Sequence, residues 1–214
     1  MTITQNHIAE FTALIVSVIC WRQLKKGSLH WLPFFLSYIL CIELIGNYFQ
    51  KVKYANIILY NFSIPIEYLF YLFLFFKHGG KSLQFFAKAG ALLLITVTVY
   101  FMFTAPLKTF HNYVLATGQA LVIISCCMYL YERFRAAEES SLLSVPFFWL
   151  SAGLLLFNLG EFTFTLLYPV IKKNGWDKLD ILFMAVNNNL LLLLYLSYII
   201  SILLIWRNSK SYAS

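Results

Sequence analysis

Three carboxylates stand inside long apolar runs of this chain: Glu43, Glu67 and Glu161. Amides accompany them at Asn47, Asn61, Gln119, Asn158 and the run Asn187-Asn188-Asn189. Glu67 lies in YNFSIPIEYLF (60–70), and no Lys or Arg occurs between Lys53 and Lys77. Carboxylates without a counter-charge cannot all stay ionised in a low-dielectric medium, so they either carry protons or hold a cation. A cationic ligand, a neutral polyhydroxylated one or a proton suits such a set, and an anion does not. Each glutamate could instead be protonated glue between helices, as buried polar groups often are. Glue needs only an amide or a hydroxyl, so three glutamates together favour a site.

Helical phase tightens the set. Glu43 and Asn47 are four apart and share a face; Asn158 and Glu161, three apart, do the same. Tyr60, Ser63, Glu67 and Tyr71 step by three and four and form one polar stripe. Pro65 sits inside that stripe, where it removes a backbone donor and kinks a helix. Successive asparagines at 187–189 point about 100° apart, so not all three face one cavity. The expected ligand-binding residues are Glu43, Asn47, Asn61, Glu67, Gln119, Asn158, Glu161, Asn187 and Asn188. No catalytic residue, metal site or cofactor is expected. No HExxH, GxSxG or Gly-rich phosphate loop is present. The histidines His7, His30, His78 and His111 lie near helix ends on both sides, which disfavours haem or His-based metal ligation. The last apolar run has no lysine for a retinal Schiff base.

The elements that must position these groups follow from composition. The 214 residues are 61% hydrophobic and only 12% charged, about half the charge of a soluble domain. Aromatics make up 19%. Seven apolar runs are long enough to cross a bilayer, at about 20 residues each: 7–24, 30–50, 55–77, 83–103, 111–131, 146–170 and 181–206. Short linkers join them, so residues 1–214 read as one all-α, polytopic membrane bundle of seven transmembrane helices. The net charge of +7 falls in the linkers and suits anionic lipid rather than nucleic acid. The first 21 residues lack Lys and Arg, so the first run is expected to be retained rather than cleaved. Cys20, Cys41, Cys126 and Cys127 form no CxxC pair and read as small packed residues.

Orientation follows from the basic residues. Ten of the sixteen, including Arg22, Arg133, Arg135 and Arg207, fall on one side of the alternating linkers. That side is expected to be cytoplasmic, with the N-terminus outside and the C-terminus within. On that map the intramembrane polar residues, with Glu10, Thr96 and Thr98, lie at mid-membrane or in the outer half. A polar cavity open to the outside, closed below by apolar residues, is the expected result.

A repeat is also legible. ALIVSVIC (13–20) aligns with ALVIISCC (120–127). PFFLSYILCIELIGNYF (33–49) aligns with FFWLSAGLLLFNLGEFT (147–163), pairing Ser37 with Ser151 and Gly46 with Gly160. The expected plan is two parallel helix triplets joined by a fourth helix, 3+1+3, as in some transporters.

Two stretches carry a resemblance. YNFSIPIEYLFYLFLFFK (60–77) and FFWLSAGLLLFNLGEFTF (147–164) resemble the seven-helix membrane modules found alone or at the N-terminus of some bacterial sensor histidine kinases. That likeness implies a sensor of the bacterial inner membrane. The tail WRNSKSYAS is too short for an output domain, so output is expected on a separate partner protein. IPIEYLF (64–70) is similar to the Pro-x-Glu-Glu motif of the membrane lycopene cyclase domain, which implies a carboxylate that protonates a polyene. Tyr68 stands where the second acidic residue would be. The 3+1+3 plan also resembles that of the SWEET facilitators, without their Pro-Gln pair. The leading expectation is a receptor or sensor, with a small-solute facilitator second and a cyclase third; an enzyme is the less favoured class.

Overall fold

The computed structural model describes residues 5–25, 29–52, 54–136, 142–176 and 181–211. Among these, eight α-helices run in chain order: α1 (Gln5–Ile19), α2 (Trp21–Leu24), α3 (Leu32–Lys51), α4 (Ile57–His78), α5 (Lys81–Thr104), α6 (Asn112–Ala136), α7 (Pro146–Lys173) and α8 (Ile181–Ser211). A short 3-10 turn, Leu142–Ser144, precedes α7. Six helices, α3 to α8, are long and apolar enough to cross a membrane, and α1 is a shorter apolar helix. The chain is a multi-pass helical membrane protein.

The helix limits have local causes. Pro33 in the first turn of α3 and Pro146 at the start of α7 need no amide partner there. Gly79 and Gly80 take extended backbone between α4 and α5. The amide of Gly80 donates to Glu132 Oε2 from α6 at 2.9 Å, placing a carboxylate at the positive end of α5. α7 ends where Gly175 turns to φ 66° and the Trp176 amide reaches back to the Ile171 carbonyl at 3.1 Å, a glycine-closed helix end. The first expected helix is interrupted at Cys20, whose φ of −87° and ψ of 12° separate α1 from α2. The Cys20 amide still bonds the Val16 carbonyl at 3.0 Å, and Leu24 bonds Cys20 at 3.0 Å. The two pieces therefore run on as nearly one rod of about 30 Å. Pro65 sits inside α4 without ending it.

Neighbouring helices close a ring. α1 packs on α3, α3 on α4, α4 on α6, α6 on α7, α7 on α8, and α8 back on α1. α5 stays outside this ring, against α4 and α6. The α7–α8 seam is the most extensive of the ring and the α3–α4 seam the slightest. Small residues explain the first: a Cβ at Gly153 would overlap the Ser197 side chain, and one at Gly160 would come within 2.7 Å of Leu190. Lipid-facing surfaces carry large apolar side chains such as Phe85, Leu92 and Phe103, as bilayer contact requires. Cys20 and Cys126 are buried as expected, whereas Cys41 and Cys127 are exposed on the outside of the bundle. Lys88 lays its ammonium 4.9 Å from the Phe76 ring, the stem lying along apolar surface.

One end of the ring is plugged by rings of another kind. Phe147 stacks on His78 at 3.8 Å and meets Tyr129 edge-on at 4.8 Å and Phe75 at 5.4 Å. Arg133 donates from Nε to the Tyr129 hydroxyl at 3.1 Å. This apolar layer lies at the α4–α5 turn end, opposite the 105–111 loop.

Candidate functional site

Above the plug the ring encloses a cavity of about 510 Å³, within the range of small-ligand sites. Four carboxylates line it: Glu10 from α1, Glu43 from α3, Glu67 from α4 and Glu161 from α7. No Lys or Arg is among the described residues that line it. Five tyrosines complete the wall: Tyr60, Tyr68 and Tyr71 from α4, and Tyr195 and Tyr198 from α8.

Each carboxylate has its own support. At the mouth, Glu43 shares the wall with Tyr60, and one turn along, Asn47 Nδ2 lies 2.9 Å from His7 Nε2. Glu67 accepts from the Tyr71 hydroxyl at 2.6 Å, and Tyr71 accepts in turn from Tyr198 at 3.2 Å. Glu161 accepts from Gln119 Nε2 at 3.1 Å. Glu10 is 6% exposed. Its Oε1 accepts from Tyr195 at 3.1 Å, and its Oε2 is buried with no hydrogen-bond partner. No group of three or more His, Cys, Asp or Glu among the described residues is arranged to hold a metal ion.

The nine expected residues divide. Glu43, Asn47, Glu67, Glu161 and Asn187 come together on the cavity wall. Asn61 does not line it. Its Nδ2 donates to the carbonyls of Leu107 at 3.0 Å and Thr109 at 2.8 Å, and its Oδ1 accepts from the His111 amide at 3.1 Å. It therefore ties α4 to the loop between α5 and α6. Gln119 stands behind Glu161, with its Oε1 buried and without a hydrogen-bond partner. Asn158 turns to its own helix, donating to the Leu154 carbonyl at 2.8 Å. The three asparagines of α8 diverge as their 100° spacing requires. Asn187 lines the cavity, Asn188 accepts from Asn6 across to α1 at 2.6 Å, and Asn189 bonds the Ala185 carbonyl at 2.8 Å. Thr96 and Thr98 also bond their own helix, on the outlying α5. The whole stripe Tyr60, Ser63, Glu67 and Tyr71 faces the cavity.

No protein-family model matches the chain, and no curated protein or solved structure does. The site is therefore read from its own geometry. Residues missing from the expected set include His7, Glu10, Tyr195 and Tyr198. A signal for two of them is present in the sequence: Tyr-Leu-x-Tyr occurs at 68–71 and again at 195–198. In both copies the two rings meet edge-on, at 6.0 Å in α4 and 5.9 Å in α8. The second tyrosines of the two copies touch through their hydroxyls.

Proposed function

We infer that the protein is a seven-helix receptor or sensor that takes up a small cationic ligand in the acidic cavity and passes the change to a separate partner protein. One observation carries the reading: four carboxylates converge on one cavity wall on which, among the described residues, no Lys or Arg stands. A bound ammonium would supply the missing positive charge, and tyrosine rings give it cation–π contact as well. A neutral polyhydroxylated ligand or a proton is the weaker form of the same reading, because neither balances several ionised carboxylates. Asn47 and Asn187 would orient the ligand at the rim, while Gln119 and Asn158 would act from behind the wall. The basic residues Arg22, Lys77, Lys81, Arg133 and Arg135 gather at the plugged end, which supports a cavity open to the outside and a C-terminus in the cytoplasm.

Counting α1 with α2 gives the seventh span. The ring order supports the 3+1+3 plan. Exchanging α1, α3 and α4 for α6, α7 and α8 reproduces every neighbour pair. Ser37 and Ser151, aligned in the repeat, bond equivalent carbonyls one turn back, Pro33 and Phe147. Gly46 and Gly160 lie against the next helix in each triplet, at Tyr60 and Leu190.

That same symmetry favours a second reading, a facilitator whose triplets rock about the axis. The aromatic plug argues for the receptor, because a carrier must open that layer. The test uses full-length protein in nanodiscs with tetramethylammonium chloride, titrated calorimetrically. Saturable binding, lost in Glu43→Gln and in Glu67→Gln, is expected. Absence of binding, or binding unaltered in both variants, overturns the cation site. Tetramethylammonium uptake into proteoliposomes would replace the receptor with the facilitator.

A further inference from the structure

Phe35 belongs to two surfaces. It lines the acidic cavity, and it also lines a second hollow of about 310 Å³ on the outer flank of the bundle. Trp31, Phe34 and Tyr38 wall that hollow from the α3 side, and Ile66, Phe70 and Phe73 from α4. Phe34 and Ile66 are 56% and 50% exposed, so the hollow faces the hydrocarbon of the membrane. Between the two spaces, Phe35 stacks on Phe70 with ring centres 4.0 Å apart and planes 8° from parallel. Behind the pair, Phe35 meets Tyr71 edge-on at 5.4 Å, and Tyr71 donates to Glu67. One aromatic layer thus separates lipid from a buried carboxylate.

The seam that holds this layer is the weak one. The equivalent seam in the second triplet, α7 against α8, is closed by Gly153 against Ser197 and Gly160 against Leu190. At α3–α4 Gly46 makes the matching approach to Tyr60, and further along the seam the stacked rings of Phe35 and Phe70 lie between the two spaces. An aqueous ligand has no use for a port into hydrocarbon. A ligand with an alkyl chain does, because the chain can stay in lipid while the head reaches the acidic groups.

We propose that the ligand is a cationic amphiphile, an organic ammonium with an alkyl chain, which enters between α3 and α4 past the Phe35–Phe70 pair. The proposal rests on the cation-site reading above and adds its chemical class and route. The ammonium head lies among Glu10, Glu43 and Glu67, where the carboxylate oxygen Oε2 of Glu10, which has no hydrogen-bond partner, is left to face its charge. The chain runs over Phe35 and Phe70 into the flank hollow. Continuity through a shared residue and the excess of carboxylates on one side are the two arguments for this occupant.

The experiment compares tetramethylammonium with decyltrimethylammonium on the full chain in nanodiscs, with binding to empty nanodiscs subtracted. Both bind, and the decyl compound binds at least tenfold tighter in free aqueous concentration, the contribution of about two buried methylenes. Ile66→Trp or Phe73→Trp fills the hollow and brings the decyl affinity down towards that of tetramethylammonium. Tetramethylammonium affinity stays unchanged in either variant, which also certifies the fold. Decyl sulfate at the same concentration does not bind. If tetramethylammonium binds but the chain adds nothing, or adds as much in both filled variants, the amphiphile proposal is overturned and the cation site stands. If neither ammonium binds above empty nanodiscs, both are overturned.

Discussion

Asn61 offers the sharpest separation between a structural and a ligand-binding role. Asn61→Ala removes three hydrogen bonds, of 3.0, 2.8 and 3.1 Å, from a side chain that is 3% exposed. The three partners do not suffer equally. Leu107 and Thr109 lie on the exposed turn after α5, so their carbonyls regain water, and each lost bond costs about 1 kcal/mol. The His111 amide belongs to a buried residue and is left unpaired, at about 1–3 kcal/mol. The sum is about 3–5 kcal/mol, with the alanine adding no strain to α4. Reversible unfolding in mixed micelles measures it, and hydrogen exchange at the His111 amide locates it. Tetramethylammonium affinity of the folded variant should stay within about twofold. A variant that unfolds like the wild type but no longer binds ligand would refute this reasoning and make Asn61 a ligand contact.

Other substitutions test the frame around the cavity. Gly153→Ala should destabilise by about 1–3 kcal/mol, against the gain of about 1 kcal/mol that alanine brings to a helix interior, because its Cβ meets Ser197; adding Ser197→Gly should restore the melting temperature. Tyr71→Phe should cost more than Tyr198→Phe in the same melts, since Tyr71 holds two hydroxyl bonds and Tyr198 holds one to it, at about 1 kcal/mol each. Glu132→Ala should cost about 0.5–2 kcal/mol and speed hydrogen exchange at Gly80 and the first turn of α5 while leaving ammonium binding intact.

The spans were legible because run length and apolarity dominate a membrane chain. The limits at 30–50, 55–77 and 146–170 moved by three residues or fewer, and Pro33, Pro146 and the Gly79-Gly80 pair mark them in the sequence. The stripe through Glu67 was legible because three- and four-residue steps fix which side chains share a face. Phase does not say which face turns inward, and that is why Asn61, Gln119 and Asn158 were expected on the wall and lie off it. Glu10 was set apart as a residue near a helix end; its partner Tyr195 is 185 positions away, and no local pattern joins them. Tyrosines in aromatic text read as packing, although the repeated Tyr-Leu-x-Tyr could have singled out 195 and 198. α5 holds no Glu or Asn, unlike the ring helices, and the 3+1+3 plan had set it apart as the joining helix, so its place outside was legible in outline.

The two triplets share a packing order and differ in chemistry. Glu10, Glu43 and Glu67 belong to the first, while the second brings only Glu161. The tyrosine pairs meet where the copies coincide, between Tyr71 and Tyr198, but the charge lies to one side of that contact. Both seams carry a glycine contact, Gly46 on Tyr60 and Gly160 on Leu190, and the first adds the stacked Phe35–Phe70 pair. A carrier that rocks two like halves gains from keeping them alike, because each must serve both faces of the membrane. A receptor gains from one rigid half and one half that yields to the ligand. The uneven share of carboxylates, with a slight α3–α4 seam beside the extensive α7–α8 one, would suit the proposed receptor.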